Sequence, residues 1–464
     1  MQFLYGRAGR EAGGHVRDDH AETPDAELPA APSGFDVDPV QARHEGRPRH
    51  LRDGSPVRLS AGRSGSGDNR NVSARPYDAI VIGVGGMGSA TVYELAKSGA
   101  RVLGLERFTV PHPFGSSHGL TRIIRLAYSE GSHYVPLLRD AYRRWRELED
   151  VTGESILRVT GGLDIGPRSG GIVASSRKSC VEHGLPFEEL DSDAVNRRFP
   201  GYALPAGLGA IYQPDAGYLH CETAIRAHAE AARSLGAEIV SGVRARGWDR
   251  TPTGVRVATD AGRYEARKLV ITAGAWARDL VAALKPLCSP VRQVMLWTEP
   301  LAPGIFDPDR FPIFVLESPV GNFYGFPDNR GEGFKIGKFH HLHQAVPDPD
   351  AMDRECHSED EAVLREGIEA FFPRANGPTR RMTACIFTNS PDGHFILDRH
   401  PEVEGVFVAA GFSGHGFKFC GVVGRIMADF CLERPRRRDL SAFNLTRRRS
   451  PRAAHAPPPR EQTP

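Results

Sequence analysis

The sequence predicts an α/β protein in which a discontinuous Rossmann-like nucleotide domain is combined with a mainly antiparallel-sheet (α+β) second domain. Three observations predict it. An apolar, β-branched strand at Tyr77–Ile82 runs into a glycine turn with G-x-G-x-x-G spacing at Gly83, Gly85 and Gly88. The next strand, Arg101-Val-Leu-Gly-Leu-Glu106, ends in an acid about twenty residues beyond the turn, where a ribose hydroxyl is met. Two further strand-then-glycine segments, Lys268–Gly274 and Gly405–Gly411, lie far downstream and extend the same pattern.

Residues 1–75 are rich in Arg, Asp, Gly, Pro and Ser, contain no lysine and show no sustained periodicity; disorder is expected. Their arginine bias reads as base composition, with the native start expected near Val72. From Tyr77 the pattern changes at once. The glycines allow a tight strand-to-helix reversal, close approach of backbone to a pyrophosphate, and close helix–strand packing. Ser89–Ser98 has helical composition with Val92, Leu95 and Ala96 on one face, and Gly99 ends it. Downstream, Glu222–Gly236 reads as a helix leading to strands near Ala237 and Val255, and the segment after Gly411 returns as a helical run from Phe417 to Cys431. The nucleotide domain therefore comprises 76–157, 218–289 and 389–445. Residues 158–217 and 290–388, with short aromatic strands and proline turns, form the second domain. Residues 446–464 read as a flexible basic, proline-rich tail.

At 464 residues the chain is long enough for two buried cores. Its formal charge of +2 gives no general argument for nucleic acid or an anionic membrane. It has no apolar run of about eighteen residues and no secretory signal pattern. Its seven cysteines show no C-x-x-C pair or metal spacing, so reduced thiols in the cytoplasm are expected; the C-terminus is not of the Ser-Lys-Leu type. The turn, strand, helix and acid alone leave NAD and FAD undistinguished.

Three longer segments narrow this. Gly115–Tyr128 (GSSHGLTRIIRLAY), Cys385–Asp398 (CIFTNSPDGHFILD) and Gly411–Phe419 (GFSGHGFKF) occur in the order seen in the monomeric sarcosine oxidase and N-methyltryptophan oxidase family, which the chain resembles from about Tyr77 to Phe443. The resemblance implies an FAD enzyme that oxidises the C–N bond of a secondary or N-methyl amino acid and works as a monomer. It implies flavin attached through Cys385, with cofactor contacts also from His118, Thr121, Gly414 and Gly416. Arg125 and Lys418 match the pair that binds the substrate carboxylate. Burying such a group without a partner is prohibitive, and the guanidinium fork also orients it.

Arg122 matches the arginine beside the flavin ring. Lys335, in Gly333-Phe-Lys-Ile-Gly337, matches the lysine that assists electron transfer to O2, where a preorganised cation stabilises the negative charge that forms. Tyr324 matches a tyrosine bordering the substrate. Flanking Ile123, Ile124 and Leu126 suggest that Arg122 and Arg125 share a buried helix.

The family pattern is broken downstream of Lys335. Its histidine position is Phe339, so a one-residue bulge bringing His340 inward is one expectation and loss of the histidine role the other. A methionine position is Val315 and a tyrosine position Phe387, which changes pocket volume and polarity. No metal is expected at His340, His341 and His343, because alternation in a strand sends neighbours to opposite faces. His415 is expected to pack beside the flavin.

A positive pocket that holds the carboxylate also disfavours the substrate ammonium, and activity rising with pH follows, because only the neutral amine donates electron density to the breaking C–H bond. The expected reaction is oxidation to an imine, hydrolysis, and reduction of O2 to H2O2. The alternative on the same fold is a flavin dehydrogenase of a cyclic imino acid or 2-hydroxy acid with another acceptor.

Overall fold

A computed structural model describes residues 76–435 and 438–447; the leader at 1–75 and most of the expected tail lie outside the described residues. Two eight-stranded sheets organise the chain. In the first, Tyr77–Ile82 is central and pairs in parallel with Val102–Leu105 on one side and Gly262–Ile271 on the other. Glu238–Val240 and Val406–Ala410 extend this parallel core outward. The first half of Gly262–Ile271 instead joins an antiparallel meander with Ala245–Thr251 and Gly254–Thr259.

The helices Gly86–Lys97, Cys221–Ser234 and Cys420–Cys431 pack together against this sheet. Gly86–Lys97 is thereby buried almost all round, beyond the single face expected from Val92, Leu95 and Ala96. Its one buried acid, Glu94, is paired with Arg144 at 2.7 Å.

The second sheet runs Thr379–Asn389, Ser289–Thr298, Phe334–Lys338, Gly321–Phe326, Ile313–Ser318, Gly162–Pro167, Leu208–Gln213, Glu188–Asp191. All neighbours are antiparallel except Ile313–Ser318 with Gly162–Pro167. One of its faces buries an aromatic cluster in which the Phe314 and Phe372 rings stack at 4.4 Å and Tyr202 and Phe311 at 4.5 Å.

A third, small sheet links the two. Thr121–Ile124 pairs antiparallel with Gly217–His220, which pairs with Leu157–Val159. In place of the expected helix carrying Arg122 and Arg125, a strand holds Arg122 and ends just before Arg125. Its β-branched residues Thr121, Ile123 and Ile124 suit a pleated, buried surface better than a helix.

The tail expectation also needs correction at its start. Arg447 is half-buried, with Nε and Nη2 each donating to Asp392 at 2.7 Å, so the folded chain extends through it.

Candidate active site

The first cavity, about 350 Å³, lies beyond the carboxyl ends of the parallel strands, the position at which open α/β sheets bind ligands. Gly83, Gly85, Glu106, Gly414 and Gly416 line it. The three turn glycines do different work. Gly83 has φ +89°. A Cβ on Gly88 would lie 1.7 Å from the Gly83 carbonyl, so Gly88 serves helix–strand packing and does not line the cavity. A Cβ on Gly85 would meet nothing within 4 Å and would project into open space at the cavity wall.

Glu106, 4 % exposed, accepts from the Val84 and Phe108 backbone N–H groups at 2.8 and 3.0 Å, which fixes the carboxylate at the strand end. The helix Gly86–Lys97 begins without a side-chain cap, leaving its first N–H groups available to an anion. His118 is buried with a ring Nε2 that has no hydrogen-bond partner, and burial pushes its pKa down to about 3, so it stands neutral. His118 does not line this cavity, contrary to the cofactor contact expected of it; the open wall at Gly85 and the uncapped helix fit a bound dinucleotide.

The second cavity, about 40 Å³, adjoins the first. Arg122, Phe387, Gly414 and Phe417 line both and mark the junction. Arg125, Lys418, Tyr324, Val315, Phe339, Glu130 and His415 line only the second. Thus the sequence-predicted residues Arg122, Arg125, Tyr324 and Lys418 come together, although they derive from three separate stretches of chain.

Arg122 donates to the Thr121 and Ser116 carbonyls at 2.8 and 2.9 Å, and its Nη2 is 3.7 Å from Cys385 Sγ. Cys385 is 1 % exposed, packed with Met295 and Trp297, and lies behind the residues that line the cavities. Burial pushes its thiol up, and Arg122 opposes this.

Lys335 is not a snorkelling surface lysine. It is 2 % exposed, with Nζ donating to the Gly119 and Thr121 carbonyls at 2.6 and 2.9 Å and to Thr121 Oγ1 at 3.1 Å, and it lies over the rings of Phe326 and Trp297. Burial, and then Arg122, push its pKa well below the ordinary lysine value. Lys335 and Thr121 line neither cavity; Thr121 serves as the seat of Lys335 and Arg122.

Lys418 Nζ donates to the His415 carbonyl at 3.0 Å and to Tyr128 Oη at 3.3 Å. His415 Nε2 lies 2.9 Å from the Gly393 carbonyl, which can only accept, so Nε2 carries the proton and Nδ1 accepts from Tyr128 O–H at 2.7 Å. His415 is thus tied to the lysine through Tyr128, in addition to lining the pocket. Burial pushes Lys418 down to about 7; Glu130 and Asp164 pull against this, and Arg125 adds to it. Tyr324 is pushed up to about 12 by burial and stays a neutral phenol.

The strand Phe334–Lys338 keeps a regular register with Gly321–Phe326, so the bulge that would bring His340 inward is absent. The chain turns after Lys338, with φ +62°, +41° and +56° at His340, His341 and His343. Phe339 takes the place at the wall, its ring 5.0 Å from Tyr324, while His340 lines neither cavity and stacks on His343. His341 Nε2 is 2.8 Å from Asp360, which also pairs with Arg292. These histidines therefore sit in a turn, not in the alternating strand expected of them.

Two acids escaped the sequence reading. Arg125 Nε lies 3.1 and 3.2 Å from the two oxygens of Asp164, and Nη2 is 3.1 Å from Glu130 Oε2. Burial pushes the Asp164 carboxyl up, and Arg125 and the Ser176 hydroxyl pull it back, so the two acids offset the arginine and the expected penalty on a substrate ammonium loses much of its source. Glu130 lies two residues past the Gly115–Tyr128 segment, and Asp164 interrupts the apolar strand Gly-Leu-Asp-Ile-Gly; an acid inside an apolar strand is the signal that marks it.

A cavity at the ends of the parallel strands sharing a wall with a small aromatic pocket that holds an arginine and a lysine suits a cofactor-dependent oxidoreductase. Residues 78–430 match the FAD-dependent oxidoreductase family, and the chain belongs to it. It is 41% identical over 385 residues to monomeric sarcosine oxidase of Bacillus sp. (strain B-0618), a match covering 80% of this chain and 96% of that protein. It is 36% identical over 375 residues to N-methyl-L-tryptophan oxidase of Yersinia pestis (strain Pestoides F), covering 80% and 99%. Among solved structures, the open form of NikD, an unusual amino acid oxidase essential for nikkomycin biosynthesis, superposes with a TM-score of 0.70 at 25% identity, covering 80% of this chain and 98% of that one. Among the described residues no helix is long and apolar enough to cross a membrane.

Proposed function

We propose that this chain is an FAD-dependent oxidase of a secondary or N-methyl α-amino acid, with O2 reduced to H2O2. The observation that carries the reading is the shared wall: Arg122, Phe387, Gly414 and Phe417 line both cavities, so a ligand reaching the end of the first meets a carboxylate held in the second. Arg125 and Lys418 bind and orient that carboxylate. Tyr324, Phe339, Phe387 and Phe417 wall off water around the substrate nitrogen and its carbon.

FAD held in the first cavity would supply the acceptor for a hydride equivalent from the carbon next to nitrogen and the means of reducing oxygen. Arg122 offers a fixed positive charge at the junction, and Lys335 a buried Nζ donor on the Thr121 carbonyl that Arg122 also holds. The resulting imine takes up water; for an N-methyl substrate the sum is amine, O2 and water giving amino acid, formaldehyde and H2O2.

We assign flavin attachment to Cys385. In support, its Sγ is 3.7 Å from Arg122 and 3.8 Å from the carbonyl of Ser116, two residues that line the first cavity. We assign the first sheet, with its helices, to the cofactor and the second sheet to the substrate. The protein is read as a cytoplasmic monomer. Oxygen-electrode assays across N-methyl and cyclic amino acids test the function: formaldehyde and peroxide should form in equal amounts from an N-methyl substrate. Turnover supported by an artificial dye but not by oxygen, or seen only with 2-hydroxy acids, selects the dehydrogenase instead.

A further inference from the structure

The guanidinium that receives the substrate carboxylate already holds a carboxylate of its own. Asp164 is 3 % exposed in the middle of the strand Gly162–Pro167, and both its oxygens face Arg125 Nε. Ser176, on the helix Gly171–His183, donates to Asp164 Oδ2 at 2.5 Å and holds it in place. Glu130 and Ser129 occupy Nη2 at 3.1 and 3.0 Å. That leaves Nη1, the one guanidinium nitrogen without a hydrogen bond among the described residues, for an incoming carboxylate.

The balance of charge follows. Arg125 faces Asp164 at one edge and Glu130 at another, and among the described residues Lys418 is the only other cation lining this cavity besides Arg122 at the junction. A site built only to attract an anion gains nothing from an immovable buried acid at its arginine. Such an acid instead opposes any ligand with net negative charge, and is neutral or favourable toward a ligand that brings its own positive nitrogen.

We propose that Asp164 sets the charge selectivity of the substrate pocket: by compensating Arg125, it makes the site prefer zwitterionic amino acids over net-anionic acids of the same shape, 2-hydroxy acids included. This rests on reading Arg125 and Lys418 as the carboxylate-binding pair. Asp164 is a positioning residue, acting through Arg125.

Two ligands isolate the effect. N,N,N-trimethylglycine and 3,3-dimethylbutanoate share shape and carboxylate and differ by one positive charge, and the quaternary nitrogen has no lone pair with which to support oxidation. Dissociation constants are read from perturbation of the holoenzyme flavin spectrum near neutral pH. The wild type should bind the zwitterion more tightly, and Asp164→Asn, which keeps the shape and an acceptor for Nε, should shift the ratio toward the anion by about tenfold, corresponding to about 1.4 kcal/mol. Ser176→Ala, which keeps the charge, should leave the ratio unchanged. A wild type that prefers the anion or binds neither ligand overturns the proposal without any variant. An unchanged ratio in Asp164→Asn, or equal weakening of both ligands, overturns it as well and reduces Asp164 to a packing role. Failure of the proposed function would appear elsewhere, as holoenzyme whose flavin no amino acid reduces.

Discussion

Binding of a simple carboxylate should draw a proton onto Lys418. In the free protein burial holds this lysine down to about 7, so at about pH 8 roughly one molecule in ten carries the charge. A carboxylate in contact with the ammonium contributes about 1.5–3 kcal/mol, which raises the pKa by about 1.1–2.2 units at about 1.36 kcal/mol per unit. In the complex roughly half to nine-tenths of the lysine is then charged, and about 0.5–0.8 proton is taken up per ligand at about pH 8. The groups that set the starting value, Arg125, Glu130 and Asp164, remain in the site. Mixing holoenzyme with propanoate, which has no amine to titrate, in weakly buffered solution with an indicator dye measures the uptake directly. Lys418→Met should abolish it and weaken propanoate. Zero uptake in the wild type, or the same uptake in Lys418→Met, refutes the assignment. The same shift has a stability signature: an unfolded lysine keeps its proton to about pH 10, so ligand-free wild type should gain stability as pH rises from about 7 to 10, and Lys418→Met should lose that slope.

Three further outcomes follow from the geometry. Lys335→Met should slow reoxidation by oxygen far more than flavin reduction in stopped-flow, and should cost about 1–3 kcal/mol of stability by orphaning the acceptors on Gly119 and Thr121; equal loss in both half-reactions removes the oxygen role. Gly85→Val should fold with near-normal thermal stability but without flavin, whereas Gly88→Ala should lose stability outright, because its Cβ would fall 1.7 Å from the Gly83 carbonyl; the reverse ranking would sink the division of labour between these glycines. Acid precipitation should carry flavin absorbance into the wild-type pellet and leave it in the supernatant of Cys385→Ala; wild-type flavin in the supernatant excludes the thioether.

The nucleotide half was readable because its chemistry is local. Strand, turn, helix and acid from Tyr77 to Glu106 lie in one short stretch, and Gly83 and Gly88 answer demands of backbone within it and beside it. The Arg125–Lys418 pairing was readable only through resemblance, since nothing in the spacing brings residues so distant in sequence into one cavity. What stayed hidden was long-range. Arg125 and Asp164 are 39 positions apart, and no periodicity signals an ion pair formed across two sheets. The same limit explains the strand at Thr121–Ile124, whose partner Gly217–His220 lies far downstream and overrides a local pattern that also suits a helix. The resemblance marks Phe339 as a departure, but only the regular register of Phe334–Lys338 decides that it, and not His340, forms the wall.

The central claim is that the carboxylate held by Arg125 and Lys418 belongs to an amine that reduces the flavin. Anaerobic mixing of holoenzyme with a panel of N-methyl and cyclic α-amino acids measures this with one absorbance trace. Complete bleaching by at least one secondary amino acid, lost or slowed at least about a hundredfold in Arg125→Gln, is the expected result. Bleaching by 2-hydroxy acids alone, or bleaching indifferent to Arg125→Gln, contradicts it.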